Sequence, residues 1–480
     1  MTLLRPTIKL FAAGCVLLSG CSLAPKYQRP AAPVAATYPV AASPDSNPSA
    51  IPAADLAWQQ FFGDARLRGI IQLALENNRD LRVAALNVER IRAIYSIQRS
   101  VLIPQLDATG DAVRQRTPAT LSPSGQPVTG SVYSVGLQIP SYEIDFFGRV
   151  ASLRDQVLHR YLATEEARRS AQIALISAVA RQYLAVLAAE EQLELARQTL
   201  RAAEHSYELI RQSFEAGVTS ELDLRTAEGQ REAVRARVAA IEQQAVQLGH
   251  GLVLLVGSTL PADLPPAGSL ATQALMEDIP AGLPADLLTR RPDVRAAEEV
   301  LRSANANIGV ARAAFFPSIK LTAFGGSAST ELSGLFESGS GQWSFMPSIT
   351  LPIFAGGRNK AQLDVAWIEQ RIEIANYEQA IQSAFREVAD ALAVRTLVSR
   401  TIAAQQARVD ASRRRHELTQ QRFDAGIDPY LSVLLAQQEL FAAEQSLIDA
   451  RLARLANLTA LYAALGGGWQ EDTPAPQPGG

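Results

Sequence analysis

Few side chains in this sequence stand at spacings that could support covalent or metal chemistry. The four histidines, His159, His205, His250 and His416, are far apart, and each falls in a tract of helical pattern where a solvated face explains it. Cys15 and Cys21 are the only cysteines and Met is scarce, so no clustered Cys/His set is expected to hold a metal. The chain has no P-loop, no GxSxG nucleophile elbow, no HExxH pair and no dinucleotide fingerprint, and an enzyme is not expected. What remains is the Cys21 thiol, set directly after Leu18-Ser19-Gly20, and two glycine turns that end long helical tracts, Gly217-Val218-Thr219 and Gly426-Ile427-Asp428.

Cys21 is placed by a targeting segment. Arg5 and Lys9 form a positive n-region, and Leu10 to Leu18 an apolar stretch too short to cross a bilayer, so residues 1–20 read as a signal peptide. Leu18-Ser19-Gly20-Cys21 resembles a bacterial lipobox, which implies cleavage before Cys21 and acylation of its thiol and amine. Ser22, rather than Asp, then favours sorting to the outer membrane. Cleavage removes Cys15, so no disulfide is expected, and the N-acyl and S-diacylglycerol lipid on Cys21 is the one attached group; no other cofactor is implied. Residues 21–55, rich in Pro, Ala and Ser, bury too little apolar area to offset their ordering entropy and read as an extended tether.

The body of the chain is duplicated. Asp80-Leu81-Arg82 and Pro104 recur 213 residues later as Asp293-Val294-Arg295 and Pro317, while Gly148-Arg149, Phe214, Gly217, Leu222, Leu252 and Gly257 recur 209 residues later. The slip of four falls between residues 106 and 148, where a surface loop absorbs it. A formal charge of −3 argues against nucleic acid as a partner, and no run of 18 apolar residues follows the N-terminus.

Each repeat carries one very long helical tract. Arg149 to Ser213 and Asn359 to Ala425 lack both Pro and Gly, and about 65 residues of helix would extend roughly 97 Å. Each tract stops at its turn glycine and restarts, at Ser220 with Asp223 three residues on as a capping box, and at Asp428-Pro429 as an N-cap with Pro in the first helical position. These are antiparallel coiled-coil hairpins.

Ahead of each long tract lie strands. Val132 to Pro140 alternates Tyr133, Val135, Leu137 and Ile139 with polar residues, and Trp343 to Ile353 does the same with Trp343, Phe345, Ile349, Leu351 and Ile353; Leu106–Val113 and Ile319–Phe324 are weaker partners. About ten residues suit a tilted crossing of a bilayer, but four strands cannot close a barrel and open edges are not tolerated in lipid. Three chains would supply twelve. Two soluble hairpins covered by helices remain the other reading of the pattern alone.

Leu288-Thr289-Arg290-Arg291-Pro292-Asp293-Val294-Arg295-Ala296-Ala297-Glu298 followed by Ala304-Asn305-Ala306-Asn307-Ile308-Gly309-Val310-Ala311-Arg312-Ala313-Ala314-Phe315-Phe316-Pro317 resembles the signature of TolC-like outer membrane factors, in the NodT-type lipoprotein branch. Phe146-Phe147-Gly148-Arg149, Pro352 to Arg358 and Ala463 to Trp469 fit the same pattern. The resemblance implies an α+β membrane protein: a homotrimer with a 12-stranded β-barrel and an α-helical periplasmic tunnel, anchored in outer-membrane lipid. It divides the chain into a first repeat at 56–257, an equatorial segment at 258–291, a second repeat at 292–467 and a tail at 468–480. It also implies passive export of small solutes as the exit duct of a tripartite efflux pump, with a periplasmic adaptor and an inner-membrane transporter of the resistance-nodulation-division class. Gly217, Val218, Thr219, Gly426, Ile427 and Asp428 would meet the adaptor. Leu431 and Leu435, one helical turn apart, would form an apolar constriction in three copies or else serve as coiled-coil core; relatives with an acidic residue at position 435 leave Asp223 as the nearest charged gate candidate. The alternative is an adaptor or coiled-coil scaffold lipoprotein of the periplasm, which needs no amphipathic strands.

Overall fold

The computed structural model describes residues 22–39, 52–276, 279 and 284–470; Cys21, the signal segment and the tail from 471 lie outside them. Along the described chain run α1 (Trp58–Phe61), α2 (Ala65–Asn77), α3 (Arg79–Ser100), β1 (Asp107–Thr117), β2 (Val128–Ile144), α4 (Arg149–Glu215) and α5 (Glu221–Val256). There follow α6 (Leu287–Arg290), α7 (Pro292–Ala313), β3 (Ser318–Ser329), β4 (Gly341–Thr350), α8 (Arg358–Asp424) and α9 (Tyr430–Ala464). The two long tracts fold as single helices of 67 residues each, as their lack of Gly and Pro predicts.

The chain packs as two compact units. One holds residues 22–31, Asn87–Thr164 and Ala296–Tyr377, and with them the whole antiparallel sheet in the order β1-β2-β3-β4. The other holds the described residues of 32–86, Glu165–Arg295 and the chain from Glu378. Its core is aromatic and aliphatic: Phe61 stacks on Tyr462 at 4.1 Å between ring centres, beside Phe62, Leu67, Ile70, Ile71 and Leu184, all fully buried. The Tyr462 hydroxyl donates to the Leu56 carbonyl at 2.6 Å, which satisfies the one polar atom this ring brings inside.

The duplication survives in the backbone. Gly257 and Gly466 end α5 and α9 in the left-handed region, at φ 77° and 84°. Beside them Asn78 donates to the Leu255 carbonyl at 2.8 Å, and Arg291 donates to the Ala464 carbonyl at 2.9 Å. These are equivalent positions of the two repeats. In each, a side chain at the start of α3 or α7 takes one of the carbonyls that the end of a long helix leaves without an intrahelical donor.

Two expectations are corrected, at the strand ends and at the cap of α9. The Pro-rich segment, read as an extended tether, is bonded to α7 through residues 23–29, and Tyr38 stacks on Phe385 at 5.2 Å. Composition does not reveal polar and aromatic partners supplied from a distant part of the chain. Strand β2 continues past Pro140 to Ile144, through a bulge between Ile139 and Tyr142, while β4 stops at Thr350, before Pro352. The N-cap of α9 is Pro429 with no side-chain cap bond, because the Asp428 carboxylate is held instead by the Arg422 guanidinium at 2.6 and 2.9 Å.

Candidate functional site

Two surfaces qualify, and the sheet comes first. Residues directly paired across strands share a face, so the register defines which side chains line up. Ala108, Gly110 and Ala112 of β1 pair with Leu137, Val135 and Tyr133 of β2; the same face continues through Ile319, Leu321 and Ala323 of β3 to Ile349, Pro347 and Phe345 of β4. The bulge matters here. Without it, Tyr142 and Ile144 would turn to the opposite face from Ile139; with it, they pair with Leu321 and Ile319 and stay in the apolar band. The Pro140 carbonyl freed by the bulge accepts from the Thr322 hydroxyl at 3.1 Å.

The band is bare within the chain: Trp343, Phe345 and Ile349 are 80%, 60% and 70% exposed. From Ile319 to Gly325 it runs about 20 Å along the strand, close to the apolar height of an outer-membrane barrel. Arg114 and Arg116 follow on the same face toward the β1–β2 hairpin. The opposite face is predominantly polar, with Asp107, Thr109, Asp111, Ser134, Gln138, Lys320, Thr322, Ser344 and Ser348 beside Val113, Val132, Phe324 and Met346. Both β1 and β4 are edge strands, so each offers an unpaired row of backbone donors and acceptors. Helix α3 adds an unpartnered apolar stripe, with Val83, Leu86, Ile94 and Ile97 exposed at helical spacing and no residue of the helix buried.

The second surface is the pair of turns. Each long helix closes with the same hydrogen bonds: Gly217 donates to Phe214 at 2.9 Å and Val218 to Ser213 at 2.8 Å, and Gly426 donates to Phe423 at 2.8 Å and Ile427 to Arg422 at 2.9 Å. Positive φ at Gly217 and Gly426, 75° and 71°, makes this closure possible. Behind the turns Ile210, Ala227, Tyr430, Val433 and Leu434 form one apolar cluster with Tyr207, Leu224 and Phe423, so α4, α5, α8 and α9 are pinned together at this end. Burial pushes the Tyr430 hydroxyl above its ordinary value, against a hydrogen bond from Ser206.

The expected site residues separate cleanly. Val218 and Ile427 project from the two turns, 78% and 63% exposed, while Thr219 folds back to the Ile210 carbonyl. Leu431 and Leu435 are half exposed and lie outside the core cluster, which uses Val433 and Leu434 instead. Asp223 is committed to the capping box: it accepts from the Ser220 hydroxyl at 2.6 Å and the Ser220 amide at 3.3 Å. Its role is to cap α5. Cys21 falls outside the described residues. His159 is part-buried, its Nδ1 2.6 Å from the Glu299 carboxylate.

Residue-level reasoning missed what the signature segment does. Arg291 is buried, bonded to Asp293, Glu387 and the Ala464 carbonyl; burial opposes its charge, but the carboxylates outweigh this and raise its pKa. Arg290 reaches Asp55 at 2.5 Å and Arg295 reaches Glu166 at 2.8 Å. Glu298 accepts from Tyr27, Arg29 and Arg302. The only advance sign was a dense run of charges on a helix with an apolar face.

The chain matches a family model described as outer membrane efflux protein over residues 70–258 and 283–467, one stretch for each half. It is 47% identical over 463 residues to the antibiotic efflux pump outer membrane protein ArpC of Pseudomonas putida, covering 96% of each chain. With the outer membrane protein OprJ of Pseudomonas aeruginosa it shares 45% identity over 454 residues, covering 95% of this chain and 94% of that one. Among solved structures, the open state of the Neisseria gonorrhoeae MtrE outer membrane channel superposes with a TM-score of 0.86 at 42% identity, over 95% of this chain and all of the other.

Proposed function

The chain belongs to the outer membrane efflux protein family, and on that premise we propose that three copies close one twelve-stranded barrel in the outer membrane, the exit duct of a tripartite pump. It is an outer-membrane efflux channel extending into the periplasm, as its relatives are. The observation that carries the trimer is the bare apolar band on a sheet of four strands with two open edges. In lipid those edges must be paired, and the smallest barrels with a water-filled lumen need more strands than one or two chains supply. The stripe on α3 offers a second surface for a neighbouring copy to cover. The polar face of the sheet would line the duct, and solutes of the antibiotic class would pass without a catalytic step.

At the helical turns, Val218 and Ile427 would meet the helical hairpin of a periplasmic adaptor, which an inner-membrane transporter drives, and Leu431 with Leu435 would narrow the duct between copies. Cys21 would carry the lipid anchor. The test is drug resistance in a host lacking its own exit duct but supplied with the cognate adaptor and transporter. The intact chain restores resistance; Val218→Asp with Ile427→Asp abolishes it while single-channel conductance of the purified protein is kept. Full resistance with both substitutions would remove the turns from the adaptor contact.

A further inference from the structure

The signature segment of α7 is not explained by a lumen or a gate. Glu298, Arg302, Asn305, Gly309 and Arg312 recur at spacings that place them on one face of this helix, and that face is occupied by the chain's own N-terminal segment. The Leu23 carbonyl accepts from Arg312 at 3.0 Å and the Pro25 carbonyl from Asn305 Nδ2 at 2.8 Å. The Tyr27 hydroxyl donates to Glu298 at 3.1 Å, and Arg29 donates to both Glu298 oxygens at 3.0 and 2.8 Å. Residues 23, 25, 27 and 29 thus make these contacts with α7, while Lys26 and Gln28 between them are exposed.

The lengths agree. Six residue steps, bent at Ala24, reach at most about 20 Å, and the fourteen from Glu298 to Arg312 rise about 21 Å along a helix. Gly309 lets the strap lie flush, since a Cβ there would stand 2.9 Å from the Ala24 amide nitrogen and 2.5 Å from Ser152 Oγ. Glu298 is 4% exposed, a buried carboxylate whose burial is compensated by Arg29 and Arg302, and Arg302 also covers the Tyr27 ring at 4.9 Å. The equivalent residue in the first repeat is Ala85, so α3 has no such socket.

We propose that this face of α7 is a recognition site for an extended Tyr-x-Arg peptide, filled by Leu23–Arg29 of the same chain, and that its register fixes where the N-terminal anchor leaves the body. The strap ends at Arg312, beside the residues that lead into β3; its value for holding the chain at the membrane rests on reading β3 as a membrane strand, but the site itself does not.

Trypsin cleavage after Lys26, followed by the appearance of a Tyr27 N-terminus in mass spectra of the full-length protein in detergent, reads the docked state. Arg29→Gln and Glu298→Gln should each speed this cleavage at least about tenfold, and the double variant should add little to Glu298→Gln, because Arg29 acts through Glu298. One Ser inserted between Pro25 and Lys26 should do the same, by turning either Leu23 and Pro25 or Tyr27 and Arg29 to the wrong side. The Arg29 side chain is 42% exposed against 5% for Glu298, so Arg29→Gln keeps the test meaningful if Glu298→Gln fails to fold. Unchanged cleavage in Arg29→Gln and in the insertion would overturn the proposal, whether or not the protein is a trimer.

Discussion

Helices α3 and α7 are copies of one another, 22 residues each and both leading into a strand, yet they meet opposite surroundings. No residue of α3 is buried, and its apolar side chains are bare; α7 buries Val294, Leu301 and Ile308 together with Glu298 and Asn305. Duplication has kept the backbone and changed its employment. The second copy fastens the chain to its own ends, through Arg291 to the end of α9 and through Glu298 to the N-terminal strap, whereas the first leaves Val83, Leu86, Ile94 and Ile97 exposed.

Arg291 and Asn78 offer the sharpest test of that contrast. Each takes the carbonyl at the end of a long helix, but Arg291 also answers two carboxylates from a buried position. Arg291→Ala should destabilise the protein by roughly 3 kcal/mol, and Asn78→Ala by about 1 kcal/mol, as read from denaturant midpoints. Equal effects would show that the two nodes have not diverged. The adjoining glycines reverse the ranking. A Cβ at Gly257 would stand 2.5 Å from the Asn77 carbonyl oxygen, and one at Gly466 stands 3.1 Å from that of Arg290. Both need positive φ, so Gly466→Ala should cost about 1–2 kcal/mol and Gly257→Ala more.

At the turns the repeats differ again. Leu431 and Leu435 correspond to Leu222 and Thr226, and all four lie outside the core cluster. Leu431→Ser with Leu435→Ser should raise single-channel conductance about twofold, a barrier change of less than 1 kcal/mol, while Leu222→Ser leaves it unchanged. A rise from Leu222→Ser alone would transfer the constriction to the first hairpin. The smallest effect concerns acid. Burial raises the Glu298 carboxyl, but hydrogen bonds and charge from Arg302 and Arg29 outweigh it and leave the pKa below the ordinary 4.5. A lowered carboxylate pKa stabilises above the unfolded value and is lost as pH falls through the folded one. Protection of Lys26 from proteolysis, read with an acid-active protease, should hold at pH 4.5 and fail only below it, with Tyr27, Arg29, Arg302 and Tyr377 the other ionisable groups facing Glu298.

Much of this architecture was legible because it follows local rules. Long helices without Gly or Pro, turn glycines and a Ser220/Asp223 capping box were each read to within a residue or two. The strands were read by alternation, but a bulge lets β2 pass Pro140, and no local rule distinguishes an absorbed proline from a terminating one. Asp428 and Asp223 look alike beside their turns, yet one pairs with Arg422 and the other caps a helix. The strap was illegible for a different reason. Its partners lie about 270 residues away and contribute through geometry, which composition does not encode.

A barrel shared by several chains is what makes this sheet a membrane element. The native mass of the lipidated, detergent-extracted species that conducts in planar bilayers tests it directly. A conducting particle of three chains is the predicted result. A conducting monomer would contradict it, and a protein that stays monomeric and silent when reconstituted would also return the sheet to a role outside the membrane.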